Sequence, residues 1–128
     1  MPRFVLLEHD HPGLHWDFML ENGETLLTWR LSRIPAADGN PVPADPLPDH
    51  RRVYLDYEGP VSGNRGTVRR VDAGQFEWRL RGDGRLECEL TGEFLSGRMI
   101  LDRSSEPTGT WEFRLFDASG TPSGGRLS

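Results

Sequence analysis

Apolar and polar residues alternate with a period of two over most of this chain. In an extended strand successive side chains point to opposite faces, so such alternation marks a strand with one buried face. The segments RFVLLEH, LHWDFMLE, ETLLTWRL, RVYLDYE, GTVRRVD, QFEWRLR, RLECELTG, GRMILDR and TWEFRLF all read this way. Tight-turn signals stand between them: HPG, ENG, DAG, GDG, SG and PTG,. No segment carries a convincing helical stripe, and no repeat of fixed period is present. The pattern predicts an all-β protein, an antiparallel barrel or sandwich of about eight to nine short strands.

One stretch breaks the rhythm. Pro35 to His50, PAADGNPVPADPLPDH, holds five of the ten prolines. It is too long for a hairpin turn and reads as a long Pro-rich loop, either a lid or an ordered extended segment. After Phe116 the sequence DASGTPSGGRLS is polar and rich in glycine. At 128 residues the chain reads as a single domain over residues 1–117, followed by a disordered tail over 118–128,.

The first hairpin also carries chemistry. Of the four histidines, His9, His11 and His15 fall within EHDHPGLHWDFMLE, beside Glu8, Asp10, Asp17 and Glu21. Period two puts His15, Asp17 and Met19 on one face of their strand and Leu14, Trp16, Phe18 and Leu20 on the other. Val5, Leu7 and His9 share a face of the preceding strand. If DHPGL turns the chain, His9 and His15 come close to being cross-strand neighbours. Two imidazoles and a carboxylate then converge, a donor set that suits Mn²⁺, Fe²⁺ or Zn²⁺ with coordination positions left open. His11 falls in the turn itself and reads as solvent-facing.

Charge and composition narrow the choices. All fifteen basic residues are arginine, which excludes a lysine nucleophile,. The net charge of −5 lies wholly in residues 1–64, the half that also holds every histidine. That excess of carboxylates suits a cation and argues against gripping duplex DNA by bulk charge alone. Cys88, the single cysteine, sits between Leu86 and Leu90 on one strand face and reads as a core thiol,. The arginines that alternate along strands read as a solvated face, and the four tryptophans as barrel packing. PRFVLLEHDH turns charged after a short apolar run, unlike a secretory signal, and no apolar run approaches the ~20 residues of a membrane span. The expectation is a monomeric cytoplasmic protein with no membrane contact.

FVLLEHDHPGLHWDFMLENGETLLTWRL resembles the start of the 3'-phosphoesterase module of bacterial DNA ligase D and its stand-alone relatives. That pattern runs His-Asp, a short turn, Leu-His-aromatic-Asp-Phe-x-Leu-Glu, then a Trp strand. DHRRVYLDYEGPVSGNRGTV resembles a second block of the same family, an Asp-His followed by Tyr, an Asp-aromatic-Glu-Gly and a Gly-rich turn. The likeness covers roughly residues 3–116. It implies a closed β-barrel enzyme that uses a divalent metal, Mn²⁺ ahead of Zn²⁺ or another transition metal. The metal ligands fall on His9, His15 and Asp17, the phosphate-contacting histidine on His50 and the active-site tyrosine on Tyr54. A family lysine becomes Arg33, and Arg52 is a further candidate phosphate clamp. The implied substrate is the 3' end of DNA or of an RNA–DNA primer strand. A 3'-phosphate or terminal ribonucleoside is removed there to leave a 3'-OH, alongside a DNA ligase or polymerase in repair. Where the family has an arginine two positions after the metal-binding Asp, this chain has Met19. A second family arginine, before His50, has no counterpart. Arg30, Arg51, Arg52 and Arg65 are the available replacements. The departure implies weakened activity and a gain on Met19→Arg.

Two other readings stay open. His15, Asp17 and a distant His50 match the two-histidine, one-carboxylate set of non-haem iron oxygenases. A catalytically inactive barrel that binds nucleic-acid ends or a repair partner also fits the missing arginines.

Overall fold

The computed structural model describes residues 1–103 and 109–117. The strands are β1 (Arg3–His9), β2 (His15–Asn22), β3 (Thr25–Leu31), β4 (Val42–Arg51), β5 (Gly59–Pro60), β6 (Thr67–Arg81), β7 (Arg85–Gly92), β8 (Ser96–Arg103) and β9 (Trp111–Phe116). A 3₁₀ helix, Arg52–Leu55, follows β4. Hydrogen-bonded neighbours run β1-β2-β3-β4-β9-β8-β7-β6, and β6 pairs back to β1. This closes an eight-stranded antiparallel barrel, with β5 added outside on β6. Closure gives each barrel strand a hydrogen-bonded neighbour on both sides over at least part of its length,. The expected tail, 118–128, lies outside the described residues, as does part of the PTG turn.

Phe4, Leu6, Phe18, Leu20, Phe76 and Phe113 point inward, all fully or almost fully buried, and fill the barrel with the other inward residues. A second apolar cluster lies on the outer wall of β1, β2, β3 and β6. It holds Val5, Leu7, Met19, Leu26, Leu55 and Val68. Leu55 comes from the 3₁₀ helix, which lies over the wall. The helix is tied down by polar contacts at its rim: Arg3 pairs with Asp56 at 2.6 Å, and Arg52 forms a short ion pair with Glu21. Arg3 Nη2–H also donates to the Leu55 carbonyl at 3.4 Å.

Three expectations change here. The Pro-rich segment is a loop only as far as Pro41, and from Val42 it is β4. Proline is at home in extended backbone, and its missing N–H matters only where a partner strand needs it. β4 meets β9 over only Val42 to Ala44, so Pro46 and Pro48 lie where that edge is open. RVYLDYE, expected as a strand, is the 3₁₀ helix and a bend, and it buries Leu55 while Val53 stays exposed. GTVRRVD and QFEWRLR are not two strands joined at DAG but one strand of fifteen residues, β6. Its first half pairs with β1 and its second with β7, which allows the barrel to close. Gly74 is in the strand because β7 passes too close for a side chain. A Cβ there would lie 2.0 Å from the Thr91 carbonyl oxygen.

Asp72 is the residue of this segment that carries most. It is 3% exposed, and its carboxylate accepts from the backbone N–H groups of Ala73, Glu93, Phe94 and Leu95 at 2.7–3.0 Å. It therefore pins the β7–β8 turn against the barrel. Asp72→Ala should destabilise the fold by about 3 kcal/mol or more, since hydrogen bonds to a charged group are worth ~1.5–3 kcal/mol each and buried N–H groups lose their acceptor. A urea titration reads this directly, and an unchanged midpoint would contradict it.

Candidate metal centre

The β1–β2 turn builds the site. Cα pairing sets Val5 opposite Met19, Leu7 opposite Asp17 and His9 opposite His15. Residues directly opposite in an antiparallel pair share a face, so these six side chains stand on the outer wall. The turn is held from below by Asp10, whose carboxylate accepts from the Thr67 N–H at 2.8 Å. Gly66 makes room for that carboxylate: a Cβ there would be 2.3 Å from Asp10 Oδ1, and its φ of +79° is costly for any other residue,.

His9, His15 and Asp17 offer three donor atoms within 4.8 Å of one another. His15 and Asp17 are 7% and 3% exposed, and His9 is half-buried. His9 Nε2 lies 2.8 Å from the Arg65 carbonyl oxygen, and His15 Nδ1 lies 2.8 Å from the Gly13 carbonyl oxygen. A carbonyl only accepts, so each of these nitrogens donates, and the tautomer of each ring is fixed. The lone pairs then sit on His9 Nδ1, 3.7 Å from Asp17 Oδ2, and His15 Nε2, 3.4 Å from Asp17 Oδ1. Asp17 Oδ1 is buried with no hydrogen-bond partner. Three electron-pair donors therefore face a common point, and both rings are oriented from behind in the manner of metal-ligating histidines. These residues fit a divalent cation.

The same wall carries a cavity of about 240 Å³, lined by His9, Asp17, Met19, His50, Tyr54 and Arg65 among others. His50 is the next-to-last residue of β4, where its Nδ1–H donates to the Pro48 carbonyl at 2.9 Å and leaves Nε2 for a ligand. Its ring packs edge-on against Tyr54, centroids 5.9 Å apart. Among the described residues the Tyr54 hydroxyl has no hydrogen bond. The structure thus brings His9, His15, Asp17, His50 and Tyr54 together. It takes Arg52 to Glu21 and Arg33 to the Pro41 carbonyl, 2.7 Å away, so neither lines this cavity. Arg65 does line it, anchored through Nε–H to the Ser62 carbonyl at 2.7 Å. The sequence offered Arg65 only as one of four arginines, and its place follows from the GNRG turn, which no strand pattern reveals. The donor cluster contains His9 rather than His50, so the ligand set named for the oxygenase reading is not the one the fold gathers. Burial pushes the Cys88 thiol up to about 12, so a thiolate nucleophile is absent from this barrel,.

Fold and site together define a small closed β-barrel with a two-histidine, one-carboxylate centre on its outer wall. The family model of the DNA Ligase D 3'-phosphoesterase domain matches residues 7–103, and the chain belongs to this family. It is 32% identical over 112 residues to the multifunctional non-homologous end joining protein LigD of Pseudomonas aeruginosa. That match covers 80% of this chain but 13% of the relative. Among the described residues no helix is long and apolar enough to cross a membrane.

Proposed function

We propose that the chain is a metal-dependent 3'-end-processing phosphoesterase. It removes a 3'-phosphate or a terminal ribonucleoside from DNA or primer strands and leaves a 3'-OH, as a step in DNA repair beside a ligase or polymerase. The observation that carries this reading is the pair of tautomer-fixed histidines facing the orphaned Asp17 oxygen, in a chain of this family. Mn²⁺ is the first choice of metal, and Zn²⁺ suits the same donors.

When bound, the cation supplies charge neutralisation at a phosphoryl oxygen and lowers the pKa of coordinated water. The remaining work falls to this chain's own groups. His9, His15 and Asp17 hold the cation, and the Gly13 and Arg65 carbonyls keep both rings in register. The Tyr54 hydroxyl is suited to donate to a non-bridging oxygen. His50 Nε2, whose ring gives its Nδ1–H to Pro48, accepts a proton as the neutral imidazole and donates to a phosphate or leaving oxygen only as the imidazolium,. Arg65 supplies the cavity's guanidinium, a role that Arg33 and Arg52 do not fill from their positions. Met19 brings no charge to this wall, and that favours a second reading, an end-binding barrel with little or no turnover.

Oligonucleotides with a phosphate on one end separate these readings. Incubated with Mn²⁺, the protein should release phosphate from 3' ends and leave 5'-phosphates intact. Equal release from both ends would indicate a general phosphatase, and 3'-end binding without release would favour the inactive barrel.

A further inference from the structure

On the far side of His15 lies a second cavity, of about 330 Å³, lined by Pro12, Gly13, Leu14, His15, Arg30, Ser32 and Asp45 among others. Its volume falls in the range of small-molecule sites, roughly 300–1,000 Å³. Arg30 is the cross-strand partner of Asp17, so it stands on the same wall as the candidate metal centre. Its Nε is buried and has no hydrogen-bond partner. Asp45 is opposite Arg30 in the β3–β4 register, yet the two form no ion pair. A buried guanidinium donor left unpaired is costly, and a planar oxyanion ligand is what its fork matches. Leu14, 61% exposed, adds an apolar surface on the rim.

The two cavities meet at the centre. His9 and Asp17 line one, His15 lines the other, and Pro12 lines both. A polynucleotide end presents the same sequence of features: a terminal phosphate, a nucleoside, then the next phosphodiester. We propose that the Arg30 cavity is an anion subsite for the phosphodiester next to the 3'-terminal group, with Leu14 beside the intervening nucleoside. The inference rests on the function proposed above and extends it: the protein recognises a polynucleotide end rather than any phosphate monoester.

The test compares an oligonucleotide ending in a 3'-phosphate with a nucleoside 3'-phosphate, which has no neighbouring diester. In the wild type the ratio of their kcat/KM values should favour the oligonucleotide. In Arg30→Gln that ratio should fall roughly tenfold or more, the scale of one charge-assisted hydrogen bond, and Arg30→Lys should recover part of it. Replacing the last internal linkage by an uncharged methylphosphonate should lower the wild-type ratio similarly and cost Arg30→Gln little more. An unchanged ratio in Arg30→Gln, or full wild-type turnover of the methylphosphonate, would overturn the subsite. If the wild type hydrolyses neither substrate, the proposed function fails, and the subsite is judged by fluorescence anisotropy in EDTA. There the wild type should bind the charged oligonucleotide more tightly than the methylphosphonate one, and Arg30→Gln should lose the difference. Equal binding in the wild type would again overturn it.

Discussion

His15→Ala should lose Mn²⁺ binding by at least about 100-fold in calorimetric titration, and with it the release of phosphate from 3' ends. The scale follows from metal sites at large, where even the groups behind a ligand are worth ~10–100-fold in affinity. Here the ligand itself is removed, together with the ring that the Gly13 carbonyl orients. Asp17→Asn is the companion variant, since it keeps the shape and removes the charge. Because Asp17 is 3% exposed, each substitution needs a fold check by circular dichroism. A thermal melt gives a second reading of the same site. A ligand at a hundred times its Kd stabilises the folded state by about 2.7 kcal/mol, so saturating Mn²⁺ should raise the wild-type Tm by several degrees. That rise should vanish in both variants. A Tm rise of wild-type size in His15→Ala and Asp17→Asn would mean that the metal binds elsewhere.

Met19→Arg should unfold the protein more readily and should not raise turnover. The sequence led to the opposite expectation, because the family has an arginine at this position and the side chain shares the face of His15 and Asp17. The structure keeps the face and changes its surroundings. Met19 does border the cavity, but it is 1% exposed and packs with Val5, Leu7, Leu26, Leu55 and Val68. Leu55 arrives from the 3₁₀ helix, which the strand pattern had not foreseen. A guanidinium placed there replaces an apolar side chain in this packing, and burying a charge that finds no partner costs about 3–5 kcal/mol. Met19→Leu, close in volume, should cost less than ~1.5 kcal/mol. A Met19→Arg protein as stable as the wild type and faster on 3'-phosphates would show that the longer side chain reaches the cavity past Leu55.

The same contrast explains what could be read from the chain. Alternation was legible wherever a strand had one face in the barrel, as in β1, β2 and β7, and there the expected segments match within a residue. It also placed His9, His15 and Asp17 together, because a tight hairpin turns period two directly into cross-strand neighbours. Alternation failed where position depends on distant chain. Gly74 looked like a turn residue because the close passage of β7 is a tertiary fact. β4 looked like a loop because proline content hides an edge that happens to be open. Leu55 and Tyr54 gave the same period-two signature as a strand although they belong to a 3₁₀ helix. The arginines were least legible of all. Arg52 and Arg33 found partners in Glu21 and the Pro41 carbonyl, while Arg30 and Arg65 border the cavities. Only the packed structure decides which long side chain is already occupied.

The proposed dependence of 3'-end hydrolysis on the His9–His15–Asp17 centre is open to one direct measurement. Protein stripped with EDTA is titrated with Mn²⁺ while phosphate release from a 3'-phosphorylated oligonucleotide is followed. Release should be absent at the start, rise to a plateau at a single equivalent of metal per chain, and stay absent throughout in Asp17→Asn. Full release before any metal is added, or the same rise in Asp17→Asn, would contradict a metal-dependent phosphoesterase built on these three residues.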